Sequence, residues 1–365
     1  MMNIKQAKQE IVDTVQAYLL KNEYGEYVIP RVHQRPVLLL GAPGIGKTQI
    51  MEQAARECKV ALVAYTITHH TRQSAIGLPF ISKKEYGGKE YSATEYTMSE
   101  IVASIYDRMR ETGLTEGILF IDEINCVSET LAPAMLQFLQ CKTFGNHEIP
   151  EGWVIVAAGN PPEYNKSVRD FDVVTLDRVK KIMVEPDYRI WKEYAYKENI
   201  HPAILAYLEL RSNCFYQMET TIDGKQFATP RGWEDLSRMM EVYERLNKNI
   251  TKEVVGQYIQ HDRISVEFAE YYELYQKYQQ DYQIAEILKG KPSEAMVKKM
   301  SHAPFDERVS VVNLLFSGVR QSVREVILQE EVLEKVFEIL KLLKEPQESG
   351  KLPERFGDYV DNLRM

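Results

Sequence analysis

The sequence has few cysteines and no long hydrophobic run, and both absences narrow the class of protein. Its four cysteines show no C-x-x-C pairing, so we interpret them as buried thiols in a reducing compartment rather than as disulfides. No apolar run approaches membrane-spanning length, and residues 1–20 carry charges where a signal peptide has its apolar core. These features predict a cytoplasmic protein that does not enter a membrane.

The sequence also lacks an excess of positive charge and any familiar metal motif. Its 45 Lys and Arg residues face 53 Asp and Glu residues, giving a net charge of -8, which disfavours bulk affinity for nucleic acid but leaves room for a local basic patch. There is no H-E-x-x-H motif, and the adjacent His69 and His70 are interpreted as solvated loop residues. With 365 residues, 44% of them hydrophobic, the chain is long enough for two or three domains.

One complete phosphate-binding motif is present. Residues 41–48 read G-A-P-G-I-G-K-T, which fits G-x-x-x-x-G-K-[ST], between an apolar run and a helix-forming stretch. Such glycines let backbone N–H groups approach a polyphosphate, Lys47 can reach its β and γ phosphates, and the Thr48 hydroxyl can bind Mg²⁺. The candidate nucleotide-binding residues here are Gly41, Ala42, Pro43, Gly44, Ile45, Gly46, Lys47, Thr48 and Gln49.

Strands and helices alternate in the first half of the chain. Apolar residues at helical spacing within residues 4–18 predict an amphipathic helix. Five later apolar runs are separated by segments long enough for crossover helices, and they predict a parallel α/β sheet with helices on both faces. The predicted strands are Pro36–Leu40, Val60–Thr66, Gly117–Asp122, Trp153–Ala158 and Lys181–Val184.

After residue 186 the strand signal fades, and the chain is predicted to be helical to its end. Two apolar stripes occur in this region. We interpret the first as a packed core in preference to a partner-binding seam. The first stripe consists of Phe268, Tyr271, Tyr275, Tyr278 and Tyr282, and the second of Leu333, Val336, Leu340 and Leu343.

Two acids end the third predicted strand, about 75 residues after Lys47. Asp122 can hold Mg²⁺ and Glu123 can polarise the attacking water, the division of roles that phosphoryl transfer needs. Acids at strand ends are common, but two that follow a phosphate loop in this order favour phosphoryl transfer.

The fourth predicted strand is followed by Asn160 and two prolines. If the sheet places this strand between the other two strand ends, the Asn160 amide can hydrogen-bond both the attacking water and the γ-phosphate. The alternative interpretation is that the Asn-Pro step simply begins a turn.

With these motifs in order, residues 37–238 resemble the AAA+ ATPases, and within them the MoxR-like, helix-two-insert group related to dynein. D-E-I-N at 122–125 matches that group's motif, and A-G-N-P at 158–161 resembles its sensor one. L-D-R at 176–178 resembles the motif of the arginine finger, and T-P-R at 229–231 resembles sensor two. Cys126 departs from the basic residue that often follows D-E-I-N in the family.

The resemblance implies a P-loop NTPase fold: an α/β domain with a five-stranded parallel sheet in the order 5-1-4-3-2, then a helical lid and a helical C-terminal extension. It divides the chain into residues 1–188 for the nucleotide-binding domain, 189–282 for the lid and 283–365 for the extension. It also implies ATP and Mg²⁺ as cofactors and a homo-hexamer with nucleotide between neighbours.

The resemblance assigns Arg178 to the next subunit's γ-phosphate and Arg231 to the nucleotide of its own subunit; Arg169 is the nearest rival for the contact in trans. The guanidinium suits either role, since it stays charged and donates bidentately. The catalytic candidates are therefore Glu123, Lys47, Asn160, Arg178 and Arg231, and the metal ligands are Thr48 and Asp122.

The leading hypothesis is a Mg²⁺-dependent ATPase ring motor that remodels or assembles a protein client, with a separate partner bearing a von Willebrand factor A domain. The alternatives are a nucleic-acid-directed NTPase motor, including the GTP-driven restriction type, and a nucleotide-gated scaffold with slow hydrolysis. Residues 165–168 begin like the guanine-reading N-K-x-D, but Val168 replaces the Asp, which disfavours a small GTPase.

Three further segments have patterns that suggest a role. Val28 and Ile29 are candidates for an apolar pocket around the base. Residues 80–91 predict a hairpin around a Gly-Gly turn, and residues 143–148 resemble the family's hairpin before sensor one. Each hairpin is interpreted either as a client-contacting element or as an inert surface feature.

Overall fold

The computed structural model describes residues 1–323 except for 70, 145–146, 165–170, 223, 292, 305–306, 309, 313, 317 and 320–321. The side chains of His69 and Arg72 are also left undescribed. Several sequence assignments therefore lie outside the described residues: Arg169, the N-K-S-V segment at 165–168, His70 and the stripe of residues 333–343.

The described strands, in chain order, are β1 Val37–Gly41, β2 Ala61–Thr66, β3 Pro79–Tyr86, β4 Lys89–Tyr96, β5 Gly117–Asp122, β6 Thr143–Phe144, β7 His147–Glu148, β8 Trp153–Gly159, β9 Lys180–Val184, β10 Gln217–Thr221 and β11 Gly224–Ala228. The α-helices are α1 Ile4–Leu19, α2 Lys47–Cys58, α3 Arg72–Ile76, α4 Glu100–Thr112, α5 Ala132–Cys141, α6 Val173–Asp177, α7 Tyr188–Lys197, α8 Pro202–Leu210, α9 Pro230–Arg245, α10 Lys252–Tyr258, α11 Asp262–Asp281, α12 Ile284–Leu288 and α13 Glu294–His302. Short 3₁₀ turns lie at Arg31–His33, Ile67–His69 and Ser212–Cys214.

A parallel sheet of five strands lies at the centre of the fold, in the order β2-β5-β8-β1-β9. Read from the other edge, this is the predicted order 5-1-4-3-2, so the fold class is confirmed. All five predicted strands are present, with ends that differ by at most one residue from the prediction. The sequence located them well because buried parallel strands are continuous apolar runs.

Alternate residues of each strand enter two different apolar cores. Leu38, Leu119 and Ile155 belong to the core on one face of the sheet. Leu39 and Phe120, which follow two of them, belong to the core on the other face, where α1 and α2 also contribute. Helices therefore cover both faces, and sheets of this kind bind ligands at the carboxyl ends of their strands.

The predicted opening helix is α1, and its ends and buried face agree with the amphipathic pattern. Asn3 accepts the backbone N–H of Gln6, whose side chain returns a bond to the Asn3 N–H, completing a capping box. Ala7, Ile11 and Val15 are fully buried. The helix is therefore fixed both at its start and along its apolar face.

The predicted hairpin of residues 80–91 is confirmed as β3 and β4. Its turn residues Gly87 and Gly88 have φ of 59° and 77°, the left-handed conformation that a two-residue hairpin turn of type I′ requires. Strands β6 and β7 pair where the hairpin before sensor one was predicted, with Phe144 opposite His147. The turn between them lies outside the described residues.

The prediction that no strand follows residue 186 is wrong. β10 and β11 pair antiparallel, with Met218 opposite Phe227 and Thr221 opposite Gly224. The run from Met218 to Phe227 contains β-forming Thr, Ile and Phe residues around an Asp-Gly step, a hairpin signal that the surrounding helical patterns obscured.

The chain groups into two compact units, residues 1–201 with 211–266, and residues 202–210 with those from 267 onward. The first unit contains the sheet. In the second, Phe268, Tyr275 and Tyr282 are buried, and the ring of Phe268 meets Tyr207 edge-on at 5.3 Å, as a core stripe requires. The three-domain division remains a prediction.

Within the described part of the chain, no helix is long and apolar enough to cross a membrane.

Candidate nucleotide-binding site

Three adjacent strands end side by side at the carboxyl edge of the sheet. β8 lies between β5 and β1, with Leu40 of β1 opposite Gly159 of β8. Because parallel strands end at the same edge, the phosphate loop, Asp122 and Asn160 lie beside one another. This is the strand arrangement that the Asn160 hypothesis required.

The loop after β1 has the backbone that its glycines permit. Gly44 and Gly46 have φ of 75° and 90°, in the left-handed region where other residues are strained. Gly46 immediately precedes α2. The loop therefore ends at a helix N-terminus, where free N–H groups and the helix dipole favour a bound phosphate.

Lys47 is buried at the centre of this arrangement, with 8% of its surface exposed. Its ammonium group donates to the Gly41 and Ala42 carbonyls and to Asn160 Oδ1, each at 2.8 Å. Burial lowers the pKa of Lys47 to about 8; the Asp122 carboxylate opposes this shift, and the nearby Arg231 adds to it. The lysine thus joins the loop of β1 to the end of β8.

Thr48 and Asp122 meet across the gap between α2 and β5. The Thr48 hydroxyl donates to Asp122 Oδ2 at 2.9 Å, and Asp122 Oδ1 accepts the Glu123 N–H at 2.9 Å. A hydroxyl and a fixed carboxylate are the hard oxygen donors that Mg²⁺ prefers beside a nucleotide phosphate. The residues present therefore fit the predicted metal.

Glu123 has an unusual backbone, with φ of 58°. A left-handed non-glycine residue is strained by about 1–3 kcal/mol, and such residues cluster at functional sites. The Thr68 hydroxyl donates to Glu123 Oε2 at 2.9 Å. Thr68 belongs to none of the sequence motifs. Its signal is its position just after β2, which pairs with β5 and places Thr66 opposite Asp122.

The start of α9 lies against the phosphate loop. The backbone N–H of Arg231 donates to the Gly44 carbonyl at 3.2 Å, and the Thr229 hydroxyl accepts the Gly232 N–H, capping the helix. A Cβ on Gly44 would lie 3.1 Å from the Thr229 side chain. The backbone of Arg231 thus contacts the phosphate loop of its own subunit, and the assignment of its side chain to the nucleotide stays a prediction.

A cavity of about 400 Å³ opens beside the loop, between α1, α2, α7 and α9. Its apolar lining includes Ile4, Ile45 and Ile190, and Lys5 and Lys197 are among its charged residues. Neither Val28 nor Ile29 lines it, and Val28 is 53% exposed. The base pocket predicted at these two residues therefore does not coincide with this cavity, whose walls come from helices far apart in the sequence.

A chain of hydrogen bonds crosses the rim of this cavity. Gln49 Nε2 donates to the Tyr194 hydroxyl at 3.4 Å, and that hydroxyl donates to Glu234 Oε1 at 3.1 Å. Arg238 also donates to Glu234. Burial, followed by the Glu234 carboxylate, raises the pKa of Tyr194 to about 12, so the phenol stays protonated. Gln49 thus links the loop helix to α7 and α9.

Arg178 is not with the other candidates. It lies just before β9, at the amino edge of the sheet, and its exposed side chain donates to Gln140. The strands are about 15 Å long, so this edge is remote from Asp122 and Asn160 at the carboxyl edge. The structure gathers Lys47, Thr48, Asp122, Glu123, Asn160 and Arg231, and leaves Arg178 apart.

The chain was compared with known structures, curated proteins and family models. A chain from a solved structure titled "Structural Basis for Katanin Self-Assembly" is 18% identical, and the match covers 68% of this chain and 70% of that chain with a TM-score of 0.39. No curated protein matches the chain. Residues 36–179, which hold the loop, both acids, Asn160 and Arg178, match the model of the AAA domain of the dynein-related subfamily. This segment of the chain is therefore similar to AAA domains of the dynein-related subfamily.

Proposed function

We propose that the protein is a Mg²⁺-dependent ATPase that cleaves ATP to ADP and phosphate. The observation that carries this proposal is the convergence of two strand ends on the phosphate loop: Lys47 Nζ lies 2.8 Å from Asn160 Oδ1, and Thr48 Oγ1 lies 2.9 Å from Asp122 Oδ2. The match of residues 36–179 to an AAA domain supports the same conclusion.

Each side chain has a role that follows from its chemistry. Lys47 donates to the β and γ phosphate oxygens, exchanging its bonds to loop carbonyls for bonds to the nucleotide. Thr48 and Asp122 would hold Mg²⁺, which neutralises phosphate charge when bound. Asn160 hydrogen-bonds the attacking water, and the Glu123 carboxylate accepts the proton that the water loses as its oxygen bonds to the γ-phosphorus. The bond from that phosphorus to the β–γ bridging oxygen breaks, leaving ADP.

We place the base in the cavity between α1, α7 and α9. A cavity of about 400 Å³ is ample for a purine, and its isoleucines suit an aromatic ring. ATP is the nucleotide that the family resemblance favours. A preference for GTP would instead support the restriction-type motor.

Phosphate release with increasing Mg²⁺ tests this proposal. We expect turnover with ATP that is abolished by chelation and reduced at least 100-fold in Thr48→Val. The matched control is Thr143→Val, whose side chain lies on β6 away from the loop and should leave turnover unchanged. Turnover that survives chelation, or equal loss in both variants, would count against the site.

We further propose that the active form is a ring, of six subunits by family resemblance, in which Arg178 completes a neighbour's site. Its position at the amino edge of the sheet supports this, because Arg178 is remote from its own subunit's Asp122. The proposed work is remodelling or assembly of a protein client. A partner with a von Willebrand factor A domain rests on the D-E-I-N resemblance at residues 122–125.

A further inference from the structure

A buried amide joins the end of β5 to the end of β8 beyond the last sheet pair. Asn125, which is 5% exposed, donates from Nδ2 to the Asn160 carbonyl at 2.7 Å. The backbone N–H of Asn160 donates in return to Asn125 Oδ1 at 3.3 Å. The side-chain amide thus bonds both backbone groups of Asn160, as a peptide group of a neighbouring strand would.

The neighbouring residues leave room for these two hydrogen bonds, which we call the Asn125 clamp. Pro161 and Pro162 have no N–H, so two donors that could have fixed the turn after Asn160 are absent. A Cβ on Gly159 would lie 2.4 Å from Asn125 Oδ1, so the amide can approach only because residue 159 is a glycine. The Ile124 N–H also donates to the Ala158 carbonyl, which brings the two chain segments together.

The clamp determines where the Asn160 side chain points. With its backbone bonded at both groups, Asn160 presents Oδ1 to the Lys47 ammonium at 2.8 Å. A displacement of about 1 Å at a catalytic group can cost a factor of about 100 in rate. Loss of the clamp would therefore act on turnover more than on nucleotide binding, which the loop provides.

We propose that Asn125 is a positioning residue for hydrolysis, which fixes Asn160 between Lys47 and the reacting phosphate. This inference rests on the proposed ATPase function and adds a second asparagine to its site. Asn125 does not touch the nucleotide itself; it acts through the backbone of Asn160.

The test compares kcat and nucleotide affinity in Asn125→Ala, Asn160→Ala and the double variant. We expect each single variant to lose 10- to 100-fold in kcat with less than a threefold change in affinity, and the double variant to be no slower than Asn160→Ala alone. Rate losses that multiply in the double variant, or an Asn125→Ala enzyme with wild-type kcat, would overturn the inference.

Two further variants keep the test decisive. Gln34→Ala removes another buried amide, one that donates to the Tyr18 and Ile29 carbonyls, and should lower stability without changing kcat. If Asn125→Ala does not fold, Gly159→Ala displaces the same amide and should reproduce the loss in kcat; wild-type kcat in that variant would again overturn the inference. Absence of turnover in the wild-type chain overturns the ATPase proposal as well, whereas loss in Asn160→Ala without loss in Asn125→Ala removes this inference alone.

Discussion

At the scale of single residues, the site depends on a charged side chain that is buried. Lys47 has a pKa lowered to about 8 by burial, and its three accepting oxygens stand where phosphate oxygens would replace them. The loop, the two acids and Asn160 were predictable because each is a short sequence motif. The sequence assigns no role to Thr68 or Asn125, because their partners follow other strands and only the fold brings them together.

The lowered pKa of Lys47 predicts a pH dependence of nucleotide binding. A bound phosphate stabilises the ammonium form of Lys47. Below about pH 8 Lys47 is already protonated, so nucleotide affinity should not change with pH. Above that pH, binding must take up a proton, and affinity should fall up to about tenfold per pH unit. Calorimetry between pH 7 and 9.5 without Mg²⁺ measures this.

The control for the pH profile is Lys142, which has a pKa lowered to a similar value by burial and by Arg31 but bonds the Arg31 carbonyl instead of the loop. Lys142→Met should keep the slope of affinity with pH, whereas Lys47→Met should bind weakly and show no slope. A flat wild-type profile across this range would contradict the assignment of Lys47 as the phosphate-binding cation.

At the scale of elements, helices assemble the site. The sequence predicts where such helices lie along the chain but not which of them pack together. The apolar spacing predicted α1, and the apolar face of that helix is buried in the structure. The cavity between α1, α7 and α9 could not be predicted, since it depends on helices about 180 to 220 residues apart in sequence. β10 and β11 were missed because two five-residue strands give a weak signal among helices.

The hydrogen bonds from Gln49 through Tyr194 to Glu234 predict the effect of removing one hydroxyl. Tyr194→Phe keeps the ring but leaves Glu234 and Gln49 without this partner, so the free energy of unfolding should fall by about 1 kcal/mol. Tyr24→Phe is the matched control, because that side chain is 88% exposed and should change nothing measurable. Equal denaturation midpoints for wild type and Tyr194→Phe would mean that the chain of bonds does not stabilise the helices.

At the scale of the whole molecule, the strand order matched the prediction because the resemblance supplied a topology that apolar runs alone do not determine. Assembly is proposed from the position of Arg178 at the amino edge of the sheet, where its side chain donates to Gln140. Because Arg178 lies at the amino edge, the proposal that it completes a nucleotide site requires a second copy of the chain, and this makes assembly testable through activity.

If Arg178 acts in trans, ATPase activity per subunit should rise with protein concentration, and Arg178→Ala titrated into wild type should lower activity more steeply than dilution. Arg110→Ala is the control, because this exposed arginine pairs only with Asp107 on its own helix among the described contacts. Activity independent of concentration, with simple dilution by the variant, would instead indicate a monomeric nucleotide switch.

The most direct test of the account is a single-turnover measurement of bound ATP in wild type and in Glu123→Gln. The glutamine keeps the size of the side chain and a potential acceptor for the Thr68 hydroxyl but cannot take a proton from water. We predict that both proteins bind ATP with similar affinity. The variant should convert bound ATP to ADP at least 100-fold more slowly than wild type. Equal rates of cleavage in the two proteins would contradict the assignment of Glu123 as the base and leave the phosphate loop as a binding site only.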